Sequence, residues 1–89
     1  METIGVQGTG MRYEDTGSGA PVVMLHGFPG RPQDFRWLVP HMEEGFRLLR
    51  PALPGMGITP AAGDGGVQGI ARFVLDWMDA LDIGGAVFV

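Results

Sequence analysis

The spacing of apolar residues along the chain predicts three parallel strands. Val22–Leu25 is a run of four apolar residues, two of them β-branched, followed at once by His-Gly-Phe-Pro-Gly. Such a run is too short for a helix and typical of a strand buried on both faces. Phe46–Arg50, which is closed by Pro51, and Ala86–Val89 are predicted as the second and third of these strands.

Two segments between these strands have the apolar spacing of helices. In Val67–Leu81 the apolar residues fall at i, i+3, i+4, i+7, i+8 and i+11, which predicts an amphipathic helix, and these residues are Ile70, Phe73, Val74, Trp77, Met78 and Leu81. Gly84 is predicted as its C-terminal cap. A first helix is predicted over Pro32–Met42, ending or kinked near Val39 because Pro40 follows. The glycine-rich segment 52–66 is predicted to lack regular structure.

The amino-terminal segment predicts a β-hairpin. Thr3–Gln7 and Met11–Thr16 read as two short strands, and Gly8-Thr9-Gly10 between them has the glycine content of a hairpin turn. The polar segment Glu14–Gly19 then forms a turn before Val22. The predicted fold class is therefore α/β: a β-hairpin, then strand–helix–strand–helix–strand in a mostly parallel, doubly wound sheet.

Composition narrows the possible functions. The chain has 89 residues, enough for one small domain, and 45% of them are apolar. Its net charge is −4 and its six basic residues are scattered arginines, which argues against a nucleic-acid partner. It has no cysteine, so a disulfide, a thiol nucleophile and a cysteine zinc site are excluded. No apolar run approaches the ~20 residues of a membrane span, and the first five residues do not resemble a signal peptide. A cytoplasmic location is predicted.

Candidate chemistry lies in the loop His26–Gly30, directly after the first parallel strand. Two glycines and a proline end the strand there, and in open α/β sheets the carboxyl edge is where ligands bind. The chain has a single serine, Ser18, in a Gly-Ser-Gly turn. Nothing in the order or spacing of residues supports a catalytic triad built on this serine.

The segment Val22–Gly30 resembles the His-Gly-x-Pro element of the α/β-hydrolase superfamily, in the form found in epoxide hydrolases and related serine hydrolases. The resemblance continues through Gln33–Trp37, Arg50–Gly57 and Ala86–Val89. In the family these four segments correspond to the oxyanion loop, the first helix, the loop after the next strand, and the strand that leads to the nucleophile. The resemblance implies that residues 1–89 are the amino-terminal portion of a single α/β-hydrolase domain, ending before the nucleophile elbow.

The resemblance also implies roles for the residues of this loop. The backbone N–H of Phe28 would donate to the oxyanion of a tetrahedral intermediate. Gly27 would let the backbone turn without a Cβ clash, while Pro29 and Gly30 would shape the loop. His26 would be structural, with hydrogen bonds around the loop. The competing interpretation is a plain glycine–proline turn, in which Phe28 only packs.

Two classes of function follow. The first is a hydrolase of ester, epoxide or similar small-molecule substrates, here without its nucleophile, acid and base, and therefore inactive alone. His41 is expected to be solvated rather than catalytic. No cofactor or metal is implied. The alternative is a non-enzymatic remnant or interaction module that uses an open sheet edge, with possible self-association through that edge.

Overall fold

A computed structural model describes residues 1–27, 30–55, 59 and 66–89. The described residues form a five-stranded sheet with the strand order β1-β2-β4-β3-β5. The elements are β1 (Glu2–Val6), β2 (Thr9–Gly17), β3 (Ala20–Val23), a 3₁₀ turn (Pro32–Phe35), α1 (Val39–Met42), β4 (Phe46–Pro51), α2 (Val67–Ala80) and β5 (Val87–Phe88).

The sheet is antiparallel at one end and parallel at the other. β1 pairs antiparallel with β2, and β2 pairs antiparallel with β4. β3 lies between β4 and β5 and is parallel to both. The predicted hairpin followed by a doubly wound parallel sheet is therefore confirmed, with β3 as its central parallel strand. Among the described residues no helix is long and apolar enough to cross a membrane.

Neighbouring residues of β3 and β4 point to opposite faces of the sheet, which explains their uninterrupted apolar runs. Val23 and Leu49 belong to the larger core, under α2, with Phe73, Trp77, Met78 and Ile83 among its buried members. Val22 and Leu48 belong to the smaller core, against which Phe35, Val39 and Met42 pack. The two helices thus cover opposite faces, as right-handed crossovers require.

The hairpin turn lies earlier in the chain than predicted. Val6 pairs with Thr9, so the turn consists of Gln7 and Gly8, and Thr9 and Gly10 belong to β2. Both turn residues have positive φ, 51° at Gln7 and 76° at Gly8. A two-residue turn of this kind matches the twist of the strands it joins. The turn was predicted too late in the chain because both Gly8 and Gly10 were taken as turn residues, whereas only Gly8 lies in the turn.

The prediction of one helix over Pro32–Met42 is wrong. The segment contains the short 3₁₀ turn and the single-turn α1, separated by residues 36–38. Pro40 lies in the first turn of α1, where a missing N–H costs nothing, so it opens a helical turn instead of ending one.

The end of α2 also differs from the prediction. The residue with positive φ after the helix is Asp82, at 58°, and not Gly84. The N–H of Asp82 donates to the carbonyl of Asp79, and the N–H of Ile83 donates to the carbonyl of Met78. This pair of bonds is a Schellman motif, and the burial of Ile83 against the core supplies its usual apolar contact.

Candidate functional site

The loop after β3 leaves the sheet at the carboxyl edge of the parallel strands. The ladder continues to its last rung at Leu25, whose N–H donates to the carbonyl of Val89 at 2.9 Å. His26 and Gly27 follow, outside any helix or strand. Phe28 and Pro29, which the sequence analysis singled out for the oxyanion loop and its shape, lie outside the described residues.

His26 joins this loop to the one that follows β4. Its side chain is buried, and its Nε2 accepts a hydrogen bond from the N–H of Leu53 at 3.0 Å. Its Nδ1 lies 2.8 Å from the carbonyl oxygen of Gly27. Because a carbonyl only accepts, these two partners assign the ring proton to Nδ1. Both ring nitrogens are thus occupied by backbone groups, and this geometry leaves His26 without a free nitrogen for proton transfer.

The two ends of the loop approach each other closely. A Cβ atom on Gly30 would lie 2.5 Å from the carbonyl oxygen of Gly27 and 2.9 Å from its nitrogen. The N–H of Arg31 donates to the carboxylate of Asp34 at 3.0 Å, and the N–H of Asp34 donates back to the carbonyl of Arg31. The chain therefore returns from the loop directly into the 3₁₀ turn, and the site of Gly30 has room only for hydrogen.

The segment after β4 is fixed to β2. The N–H of Ala52 donates to the carbonyl of Arg12 at 2.8 Å, and the N–H of Arg12 donates to the hydroxyl of Thr59 at 3.1 Å. Thr59 is fully buried, and its carbonyl accepts from the N–H of Gly55. Thr59 was not predicted from the sequence, since a threonine in a glycine-rich loop carries no distinguishing signal.

An apolar pocket of about 330 Å³ opens beside the same edge, between α2, β5 and the two loops. It is lined by Leu25, His26, Leu53, Val67, Ile70, Ala71, Val74, Leu75 and Phe88. His26 is the polar member, and its nitrogens are already paired. The sequence analysis did not predict this pocket, although Val67, Ala71 and Leu75 form an i, i+4, i+8 row that could have signalled a second apolar stripe.

Ser18 and His41 lie away from this edge. Ser18 is exposed and precedes the amino end of β3, whereas His26 follows its carboxyl end. His41 is exposed on α1. The described residues therefore bring no serine to the carboxyl edge, and no group of three or more metal-ligating side chains is found among them.

Known proteins resemble this chain in sequence and in fold. A soluble epoxide hydrolase from a Corynebacterium species is 38% identical over 52 residues, which cover 58% of this chain and 18% of the relative. An uncharacterized hydrolase of Bacillus subtilis, YcgS, is 28% identical over 83 residues, covering 93% of this chain and 29% of the relative. The chain thus spans less than a third of the length of either protein. No protein-family model matches it.

A solved structure extends the likeness to the whole described fold. The crystal structure of an epoxide hydrolase from Vigna radiata superposes with a TM-score of 0.88 at 26% identity, over 98% of this chain and 30% of that one. The described part of the chain thus has the fold of about a third of a much longer hydrolase. This chain belongs to the α/β-hydrolase superfamily and carries the amino-terminal part of its fold.

Proposed function

We propose that the chain supplies the oxyanion-loop side of a hydrolase that acts on ester, epoxide or similar small-molecule substrates. The observation that carries this proposal is the loop after β3, which leaves the sheet at its carboxyl edge and is tied by His26 to the loop after β4. The similarity to a soluble epoxide hydrolase supports the same reaction class.

The proposed chemistry needs preorganised N–H donors at the point where negative charge develops. Phe28 is the proposed donor, through its backbone N–H. Gly27 and Gly30 belong to the proposed oxyanion loop because the close approach of their backbones leaves no room for a side chain at Gly30. Pro29 is proposed to set the direction of the chain between them. His26 is proposed to position this loop and to take no part in proton transfer.

The isolated chain is proposed to be inactive, because its single serine lies at the wrong edge of the sheet. The nucleophile, the acid and the base are proposed to lie outside residues 1–89. Residues 1–89 are thus proposed to end before the nucleophile elbow. Turnover of a p-nitrophenyl ester by the purified chain, lost in Ser18→Ala, would refute this part of the proposal.

The oxyanion assignment is tested in a reconstituted enzyme. The chain is expressed together with the part of the Vigna radiata enzyme that the superposition leaves uncovered, and ester and epoxide hydrolysis are measured. Phe28→Pro removes the proposed donor, and kcat is expected to fall about 10²–10³-fold. Phe28→Ala keeps the N–H and serves as the matched control. Equal losses in both variants would show that the side chain, and not the N–H, matters.

A second candidate function is a non-enzymatic interaction module. It is favoured by the exposure of β5, where Val87 is 63% and Phe88 47% accessible at an open edge of the sheet. Such an edge is a template for association. Sedimentation of the purified chain and the complementation assay together distinguish the two functions. A stable self-assembled form that shows no hydrolysis after complementation favours the interaction module.

A further inference from the structure

Strand β1 forms a free edge of the sheet, at the end opposite β5. Among the described residues its ladder partner is β2 alone. Thr3 and Gly5 of this strand are exposed. A Cβ atom on Gly5 would meet no atom within 4 Å, so the described part of the chain leaves the strand uncovered there. Backbone groups that point outward from β1 are therefore open to a further strand.

The hydrogen bonds of β2 show which groups of β1 point outward. The N–H of Arg12 donates to the hydroxyl of Thr59 and its carbonyl accepts from the N–H of Ala52, so both groups point away from β1. Thr3 is the register partner of Arg12 and thus forms a non-hydrogen-bonded pair with it. Because such pairs alternate along an antiparallel ladder, Gly5, two residues on, is in the same position. The N–H and C=O of Thr3 and Gly5 therefore face the free edge.

Strand β1 has few of the features that usually prevent edge strands from pairing. Its five residues, Glu2–Val6, include no proline, and their one-to-one register with β2 leaves no bulge. The two residues that face the edge, Thr3 and Gly5, are uncharged. By comparison, β5 at the opposite edge has two ladder residues. Strand β1 is thus the longer template for the addition of a strand.

We infer that β1 pairs antiparallel with β1 of a second copy of this chain, about a two-fold axis at Ile4. In this register Thr3 pairs with Gly5 of the second copy, and Gly5 pairs with Thr3 of the second copy. Each of these two pairs exchanges both of its N–H and C=O groups, so four backbone bonds join the strands. The edge is self-complementary, as a two-fold interface requires, because each outward residue meets the other one.

The side chains of β1 fit this register. Ile4 lies opposite Ile4 of the second copy in a non-hydrogen-bonded pair, where side chains are closest and β-branched pairs stabilise a sheet. Ile4 is half-buried and packs against the larger core, so its exposed part is covered by an equally apolar side chain. Glu2 lies opposite Val6 of the second copy and not opposite another carboxylate. The inference rests on the hairpin and not on the proposed hydrolysis.

Sedimentation of the purified chain over a range of concentrations tests the dimer. A monomer–dimer equilibrium is expected, with slower amide exchange at Thr3 and Gly5 as the concentration rises. Gly5→Pro removes one outward N–H from each copy without removing a bond between β1 and β2. This variant is expected to weaken the dimer at least ~10-fold.

Phe88→Pro is the matched control at the opposite edge. The N–H of Val89 donates to the carbonyl of Val23, so by alternation the N–H of Phe88 points away from β3. The substitution thus removes an outward N–H from β5 as Gly5→Pro does from β1. The dimer constant is expected to change by less than about twofold, because no intermolecular bond involves Phe88.

A cross-link tests the register. The chain has no cysteine, so Ile4→Cys introduces a single thiol. In the inferred pair the two Cα atoms are about 4.5 Å apart, which a disulfide can span. Oxidised glutathione is expected to convert this variant to a covalent dimer. Val87→Cys, at the 63% exposed position of β5, is the control and is expected to form much less covalent dimer.

Three results would overturn the inference. The chain stays monomeric up to about 1 mM, or Phe88→Pro weakens the dimer as much as Gly5→Pro, or Ile4→Cys forms no more covalent dimer than Val87→Cys. Urea unfolding checks that each variant is folded, and Thr3→Pro, which removes the other outward N–H, replaces Gly5→Pro if that variant is not. A dimer through β1 without hydrolysis after complementation would leave this inference intact and count against the proposed function.

Discussion

Replacing His26 tests whether one side chain holds the two loops of the carboxyl edge together. In His26→Ala the N–H of Leu53 loses its acceptor, and Leu53 is only 3% exposed, so water cannot readily take its place. The carbonyl of Gly27 also loses its donor, but Gly27 is exposed and can bind water instead. The consequence is thus concentrated on one buried backbone donor.

The expected magnitude follows from these two bonds. A buried donor left unpaired costs about 1–3 kcal/mol, and the bond to the exposed Gly27 adds at most about 1 kcal/mol. We expect His26→Ala to lower the free energy of unfolding by about 2–3 kcal/mol. A complete domain has only about 5–15 kcal/mol in total, so the loss is large for a chain of this length.

Two further substitutions separate the bonds. In His26→Gln the side-chain Oε1 can reach the position of the histidine Nε2 and accept from the N–H of Leu53. We therefore expect this variant to recover most of the free energy of unfolding that His26→Ala loses. His26→Asn reaches only the position of Nδ1 and is expected to resemble alanine. Urea unfolding gives the free energies, and amide exchange at Leu53 gives a local readout. A cost below about 0.5 kcal/mol for His26→Ala, or equal stabilities of the asparagine and glutamine variants, would show that the bond from His26 to Leu53 does not hold the two loops together.

Three other changes test the backbone and the core. Gly30→Ala is expected to lower the free energy of unfolding in urea by about 1–3 kcal/mol, because its Cβ would clash with the backbone of Gly27. Gly84→Ala is the control and should leave this free energy unchanged, because its Cβ meets no other atom; equal effects of the two substitutions would contradict the close approach of Gly27 and Gly30. Asp82→Gly is expected to raise the free energy of unfolding by about 1 kcal/mol, because glycine adopts the positive φ without strain and the substitution removes a negative charge from the negative end of the α2 dipole. An unchanged free energy of unfolding would contradict this expectation. Burial, and then nearby carboxylates, raise the pKa of Tyr13, so the folded state binds the phenolic proton more tightly than the unfolded state, and the free energy of unfolding should fall as the pH rises above about 10. The same decrease in a Tyr13→Phe variant would show that another group causes it.

The order and type of the main elements could be predicted from local patterns. Val22 and Val23 sit on opposite faces of β3, and this is visible in the sequence as an apolar run without alternation. The period of α2 is equally local, since Phe73 and Trp77 are one turn apart and both reach the core. The resemblance of Val22–Gly30 to an element of the α/β-hydrolase superfamily also predicted that β3 lies between β4 and β5. The observed strand order confirms this prediction.

Turns and helix ends were predicted less well, because their backbone conformation depends on which neighbours complete their hydrogen bonds. Gln7 adopts a positive φ because the register of β1 and β2 leaves it in a two-residue turn. Asp82 does so because Ile83 must return to the core after α2. Gly10 and Gly84, which looked better suited in the sequence, are not at those positions in the fold.

In the candidate site, too, the local features could be predicted from the sequence, whereas the contacts between distant residues could not. The sequence by itself determined that a glycine-rich loop follows a buried strand, because apolar runs and turn residues are local signals. Only the tertiary structure decided that His26 accepts from Leu53, 27 residues away, and that the hydroxyl of Thr59 accepts from Arg12, 47 residues away. Such bonds depend on strand order and crossover direction, which place residues distant in the chain at the same edge of the sheet.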